Sequence, residues 1–91
     1  GKQVSICRGN YILHTQTYLD GNSATSIYKM QTGSAVLVDY LRYDKDANPE
    51  NPWFYGMDAQ NSSLQPVSQQ QYEAILAKYV PLELEMKTVT G

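Results

Sequence analysis

Short stretches of alternating apolar and polar residues make up the first two-thirds of the chain. They are rich in β-branched and aromatic side chains, which is typical of half-buried β-strands. Turn-forming residues, with a glycine in each of the first three turns, separate one stretch from the next, because glycine accepts backbone angles that tight turns require. The pattern therefore predicts an antiparallel meander whose strands cover residues 4–8, 11–19, 25–30, 35–43 and 53–55.

The turns also predict how the strands pair. If Gly9-Asn10 forms a two-residue hairpin turn, Ile6 lies opposite Leu13. If Asp20-Gly21 forms the next turn, Leu13 lies opposite Tyr28. Because side chains alternate between the two faces of a sheet, this register predicts one apolar face that carries Ile6, Leu13, Tyr28, Met30 and Leu37.

A helix is predicted over residues 68–79. Ser68 is a favourable N-cap residue, and Gln71 completes a capping box three positions later. One apolar stripe at helical spacing follows, and Pro81 ends the element because proline cannot continue a helix. The stripe consists of Tyr72, Ile75, Leu76 and Tyr79.

Beyond the helix, Leu82, Leu84 and Met86 alternate with charged residues, which predicts a final strand with one buried face. The expected fold is α+β: a curved antiparallel sheet of five to six strands, or a partly open barrel, with the helix packed across it. We expect a single domain over residues 1–91, either a whole protein or a domain cut from a larger one.

Charge and hydropathy exclude two kinds of partner. The net charge is −2, and the seven Lys and Arg residues are scattered from Lys2 to Lys87. A nucleic-acid backbone or an anionic membrane needs such residues in clusters. The longest apolar run, residues 35–38, is far shorter than the roughly 20 residues that span a bilayer. We therefore expect no nucleic-acid partner and no membrane insertion.

Composition favours an extracytoplasmic or secreted protein, with a cytoplasmic one as the alternative. Charged residues are only 18% of the chain, and uncharged polar residues with eight tyrosines take their place. Such surfaces are common on exported modules. The chain starts at Gly1, where an initiator methionine is expected, so we expect a trimmed start. A single cysteine, Cys7, leaves no internal disulfide.

Two patterns invite a chemical interpretation, and a structural one is favoured for both. The predicted register makes Cys7 and His14 diagonal neighbours on one face, but no flanking residue resembles a thiol-enzyme signature. Asp44, Asp46 and Asn48 have the spacing of a calcium loop, but Pro49 stands where that loop needs glycine. We therefore predict no catalytic residue, no metal site and no cofactor.

The candidate contact surface lies around the loop 44–52, which its two prolines make stiff. Trp53 and Tyr55 project to one side of the next strand and Phe54 to the other. Either Phe54 faces the core and Trp53 with Tyr55 form an exposed platform, or the reverse holds. The residues assigned to this surface are Tyr43, Asp44, Asp46, Trp53 and Tyr55.

Three functions remain open at this point. The first is a non-catalytic binding or interaction domain with a protein or glycan partner. The second is a small-ligand-binding domain or small enzyme, with a tyrosine-lined pocket between sheet and helix. The third is a purely structural domain of a larger assembly, for which an uncovered apolar sheet face would be the sign.

Overall fold

The computed structural model describes residues 1–58 and 63–82 of the chain. Within these residues, six antiparallel strands form one open sheet in chain order, and a single short helix follows them, which confirms the predicted meander. The sheet does not close into a barrel. The elements are β1 (Lys2–Cys7), β2 (Tyr11–Thr17), β3 (Ser23–Gln31), β4 (Ser34–Tyr43), β5 (Trp53–Gly56), β6 (Gln65–Pro66) and α1 (Gln69–Leu76).

The first hairpin has a longer loop than predicted. Gly9 and Asn10 both adopt positive φ angles, of 82° and 66°, as turn residues should. Cys7 pairs with Tyr11, however, so that the loop contains three residues instead of two. Ile6 therefore lies opposite Ile12 and not opposite Leu13, and the predicted register is wrong by one residue.

This shift separates Leu13 from the apolar face to which it was assigned. Leu13 lies opposite Ile27, not Tyr28, and it packs against the core. The other four residues predicted for that face, Ile6, Tyr28, Met30 and Leu37, do share one face. It is the face opposite to the core, and Ile6 is 60% exposed there.

A β-bulge changes the pairing of β3 with β4. Ile27 lies opposite Asp39, whereas the next residue, Tyr28, lies opposite Leu37, so Val38 is the extra residue. Because the bulge inserts one residue into β4, Asp39 and the residues after it point to the opposite sides of the sheet from those that a regular strand would give them. Asp39 thus comes to lie on the same side of the sheet as Ile27 and the core.

The helix begins as predicted and ends earlier. The Ser68 hydroxyl accepts a hydrogen bond from the Gln71 N–H at 3.0 Å, and the Gln71 side chain accepts one from the Ser68 N–H at 2.9 Å. The helix ends at Leu76, three residues before the predicted end. Its last turn is tightened by a bond from the Tyr79 N–H to the Leu76 carbonyl at 3.1 Å.

The core lies between one sheet face and the helix. Cys7, Ile27, Leu41 and Tyr79 are buried at its centre. Three residues of the predicted apolar stripe, Tyr72, Ile75 and Leu76, lie on the helix and pack against this centre, which confirms that α1 packs on the sheet. The partly buried residues around the centre are Tyr11, Leu13, Val38, Tyr55, Tyr72, Ile75 and Leu76. The described part of the chain contains no helix that is long and apolar enough to cross a bilayer.

Two details at the end of the sheet complete its description. Residues 65–66 form the edge strand β6, where Pro66 is tolerated because edge residues need not donate to a neighbour. Gly56 pairs regularly with Tyr40. A Cβ on Gly56 would meet the Asp58 carbonyl and the Ser63 hydroxyl at 3.2 Å, so this glycine permits a close chain approach.

The predicted final strand begins at Leu82, and its other residues lie outside the described part of the chain.

Candidate functional site

The residues predicted to form a contact surface lie at one end of β4 and β5. Tyr43 lies opposite Trp53, and their rings meet edge to face with centroids 6.1 Å apart. Tyr55 packs against the core, and its hydroxyl donates to Asp39 at 2.5 Å. Phe54 occupies the other face of the sheet, opposite Arg42. The sequence left two arrangements open. The structure has the one in which Tyr55 faces the core and Phe54 lies on the other side of the sheet.

Asp44 and Asp46 take part in a network around the buried side chain of Asn22. The Asn22 amide donates to Asp46 at 2.8 Å and to Asp20 at 3.1 Å, and it lies 3.5 Å from Asp44. The Asn22 side-chain oxygen accepts from the Lys45 N–H at 3.0 Å. One amide therefore joins the β2–β3 turn to the loop after β4, a role that the sequence did not reveal.

The loop 44–52 uses its side-chain oxygens to hold its own turns. Asp44 accepts from the N–H groups of Asp46 and Ala47, both at 3.1 Å, and Asn48 accepts from that of Glu50 at 3.1 Å. These bonds are Asx-type turns, which explain the aspartate and asparagine spacing without a metal. Among residues 1–58 and 63–82, no group of three or more His, Cys, Asp or Glu side chains is placed to hold a metal ion.

Asp39 is the centre of a second polar cluster, inside the core. It is only 6% exposed, and it accepts hydrogen bonds from the hydroxyls of both Tyr55 and Tyr79. The Lys78 ammonium group lies 3.5 Å from the same carboxylate. A buried carboxylate is strongly destabilising unless donors and a positive charge surround it, and here all of these are present.

The electrostatics of this cluster favour a structural role. The hydrogen bond to Asp39, with burial and the negative charge, raises the pKa of Tyr55 to about 12. Burial, followed by the hydrogen bond to Asp39, raises the pKa of Tyr79 well above its usual range. Both phenols therefore stay protonated donors at neutral pH. They anchor β5 and the segment after the helix to the bulged part of β4.

Cys7 and His14 do not meet. Cys7 lies opposite Tyr11 and is buried in the core, whereas His14 lies opposite Val4 on the other face of the sheet. The prediction that they are diagonal neighbours is wrong, because it depended on the register that the three-residue loop changes. A thiol and an imidazole on opposite faces cannot exchange a proton directly.

Two surface cavities lie at the end of the sheet near the loop 44–52. One, of about 260 Å³, has the apolar residues Ala47, Phe54 and Leu64 in its lining. The other, of about 220 Å³, is more polar and includes Asn22. Arg42 and Asp44 line both. Both volumes are below the range of roughly 300–1,000 Å³ that is usual for small-molecule sites.

The side of the sheet away from the helix carries an apolar row. Ile6, Ile12, Tyr28 and Leu37 lie directly opposite one another on four neighbouring strands. Val4 and Met30 flank the row on the same face, and they are 59% and 39% exposed. We call this surface the open face. It consists of Val4, Ile6, Ile12, Tyr28, Met30 and Leu37.

The open face is also distinctive in its charge. The Lys, Arg and His residues that share this side of the sheet are Lys2, His14 and Arg42, and none of the described strand residues on this side is Asp or Glu. The chain as a whole has a net charge of −2. Several of the described acidic residues gather instead in the network around Asn22.

Comparison of the chain with models of protein families, with curated proteins and with solved structures finds no match. Fold and geometry define a class, which is a small, mainly β domain with an open meander sheet and one helix. Because a fold does not determine a function, any function has to be argued from the surfaces just described.

Proposed function

We propose that this chain is a non-catalytic protein-interaction domain that binds its partner on the open face of the sheet. The observation that carries the proposal is the apolar row of Ile6, Ile12, Tyr28 and Leu37, which spans four strands on the side without the helix. Contiguous exposed apolar surface is uncommon on isolated domains and marks contact sites. An uncovered sheet face is also the feature expected of a domain that belongs to a larger assembly.

The partner that fits this surface is an apolar protein surface bordered by carboxylates. Burial of the row gives the favourable free energy, at roughly 25 cal/mol for each Å² of apolar area removed from water. The basic residues on this side, Lys2, His14 and Arg42, favour an acidic border. A second copy of the chain would bring the same basic groups together, so a different protein fits better.

The other two functions receive less support from the geometry. A tyrosine-lined pocket between sheet and helix would need free hydroxyls, whereas those of Tyr55 and Tyr79 donate to Asp39. The predicted contact surface around Trp53 stays a prediction. There, Asp44 and Asp46 already serve the turn and the Asn22 network, and Tyr55 packs in the core.

A random peptide library displayed on phage, selected on the purified domain, tests the proposal. We expect enriched peptides that combine apolar and acidic residues. Their affinity should fall about tenfold or more for Ile6→Lys, because the charge disrupts the apolar contact. Ile6 is 60% exposed, so this change should leave the fold intact. The matched control is Leu19→Lys, at a fully exposed position in the β2–β3 turn.

The outcome that contradicts the proposal is equally specific. Peptides that bind Ile6→Lys as well as the original chain would show that the open face is not the contact surface. If Trp53→Ala then abolished their binding, the surface around the loop 44–52 would take its place. If no peptide were enriched at all, the interaction function itself would lose its support.

A further inference from the structure

The larger surface cavity lies on the same side of the sheet as the open face. Two residues of its lining, Arg42 and Phe54, are directly opposite each other on β4 and β5. Arg42 also lies opposite Ala24, and Ala24 lies opposite Gln16. Because Gln16 comes four residues after Ile12 on β2, these side chains share the side of the apolar row. At about 3.3 Å for each strand residue, the separation is roughly 13 Å.

A glycine makes room for one wall of this cavity. Gly56 comes two residues after Phe54 on β5, so a side chain there would point to the same side of the sheet. A Cβ on Gly56 would lie 3.2 Å from the Leu64 side chain. The absence of a side chain therefore lets Leu64 pack over the strand, where it lines the cavity with Phe54. Ala47, from the loop after β4, is the third apolar residue of the lining.

Arg42 is the basic residue of the lining, and its position is well defined. Its guanidinium group donates to the Tyr40 hydroxyl at 2.9 Å and lies 5.5 Å from the centre of the same ring. Tyr40 is only 5% exposed, so it supports Arg42 from below. Asp44, the acidic residue of the lining, accepts hydrogen bonds from the N–H groups of Asp46 and Ala47 in its own loop. These bonds balance part of its charge, and the positive charge of Arg42 borders the cavity.

The size and lining of the cavity match one apolar side chain. Small-molecule sites usually measure roughly 300–1,000 Å³, which is larger. An apolar cavity of about 150 Å³ already holds benzene, so a volume of about 260 Å³ accommodates the side chain of a leucine or a phenylalanine. In protein interfaces, the side chains that insert into such hollows supply much of the binding energy.

We propose that this cavity receives an apolar side chain of the partner protein, with an acidic residue next to it in the partner's sequence. The apolar side chain contacts Ala47, Phe54 and Leu64, and the positive charge of Arg42 attracts the neighbouring carboxylate. The inference rests on the proposed function, because that function makes the partner a protein. It adds an anchor point roughly 13 Å from the apolar row, which one segment of a partner can span.

A short peptide tests the cavity without the open face. The probe is N-acetyl-leucyl-aspartate amide, added to the labelled full-length chain while its amide chemical shifts are recorded. We expect saturable changes centred on Ala47, Phe54 and Leu64, with a dissociation constant on the order of 1 mM because a single side chain makes the contact. The control probe, N-acetyl-leucyl-lysine amide, should bind about threefold more weakly or worse, because Arg42 repels its charge.

A variant that fills the cavity is the second arm. Ala47 is exposed, so Ala47→Phe should leave the fold intact while its ring occupies the space that the leucine needs. We expect it to abolish the shift changes. The matched control is Ala74→Phe, at an exposed position of α1, which should bind the aspartate probe as the original chain does.

The inference is overturned if the aspartate probe causes no saturable change at the three residues, or if Ala47→Phe binds it as well as the original chain. Equal binding of the two probes would also overturn it, since the carboxylate is part of the proposal. These results are separate from those for the open face. Library peptides that bind the original chain but not Ile6→Lys would leave the proposed function standing even if the cavity bound nothing. A chain that binds the aspartate probe but enriches no library peptide would instead lose the proposed function and keep the cavity as a site for such a side chain.

Discussion

The two sides of the sheet differ in what lies against them. On the helix side, Ile27 and Leu41 are completely buried under α1 and Tyr79. On the open side, Val4 and Ile6 keep more than half of their surface exposed, although their side chains are just as apolar. Since both sides belong to the same strands, hydrophobicity alone does not tell which side forms the core. The core forms on the side on which the helix packs and on which the hydrogen bonds to Asp39 hold the segment after the helix.

Two leucines on β4 give the sharpest version of this comparison. Leu41 lies on the helix side and is 0% exposed, whereas Leu37 lies on the open face. We expect Leu41→Ala to lower the free energy of unfolding by about 2–5 kcal/mol, because it leaves a cavity in the core. Leu37→Ala should cost about 1 kcal/mol or less. Urea denaturation followed by Trp53 fluorescence measures both, and equal losses would show that the open face is covered within the domain.

The helix side also depends on Asp39 and its two phenols. Tyr79→Phe removes one of the hydrogen bonds to the buried carboxylate, so we expect a loss of about 1–3 kcal/mol in the free energy of unfolding. The matched control is Tyr18→Phe, at an exposed position, which should cost little. If Tyr79→Phe were neutral, the cluster would not be what fixes the chain after the helix.

Stability should also depend on pH in the alkaline range. The pKa of Tyr55 is about 12 in the folded state, above its usual value of 10.0, so the folded chain holds this proton more tightly than the unfolded chain. The resulting stabilisation is complete below pH 10.0 and is lost as the pH rises toward 12. Tyr79, whose pKa is also raised, acts in the same direction.

Denaturation measured from neutral pH to pH 12 checks this expectation. The variant Tyr55→Phe should show a smaller decline over the same interval, since one of the two phenols is absent. A decline that is as steep in Tyr55→Phe as in the original chain would assign the alkaline loss to other groups.

The smallest expected effect on stability belongs to the open face. Ile6→Lys should change the free energy of unfolding by no more than about 0.5 kcal/mol, since the side chain is 60% exposed. Thermal or urea denaturation of Ile6→Lys and of the original chain measures this difference in the free energy of unfolding. A loss comparable with that of Leu41→Ala would mean that Ile6 contributes to folding, and Ile6→Lys could then no longer report on binding alone.

The sequence predicted the elements better than their pairing. Alternation located the first five strands, and Ser68 with Gln71 marked the start of the helix correctly. Register failed at the first hairpin because Gly9 and Asn10, both with positive φ, fit a two-residue and a three-residue loop alike. The predicted pairing across the second turn is wrong by one residue as well, since Leu13 lies opposite Ile27 and not opposite Tyr28, and the two changes together place Leu13 on the core side.

The sites depend on contacts that no local pattern contains. Asp39 and Tyr79 are 40 residues apart in the chain, and they meet only because β4 carries a bulge and the chain turns back after α1. The network around Asn22 likewise joins two loops that are more than 20 residues apart. By contrast, four residues of the open face already appeared together in the predicted apolar face, because the register errors at the first two turns cancel: Ile6 lies opposite Ile12, and Ile12 lies opposite Tyr28.

The central claim, that the open face is where a partner binds, is tested most directly by mapping a bound peptide onto the sheet. Amide chemical shifts of the labelled domain would be followed while a library-selected peptide is added. We predict the largest changes at Ile12, Tyr28 and Leu37, with the indole signal of Trp53 unmoved. Changes centred on Tyr43 and Trp53, with the three open-face residues unaffected, would contradict the claim.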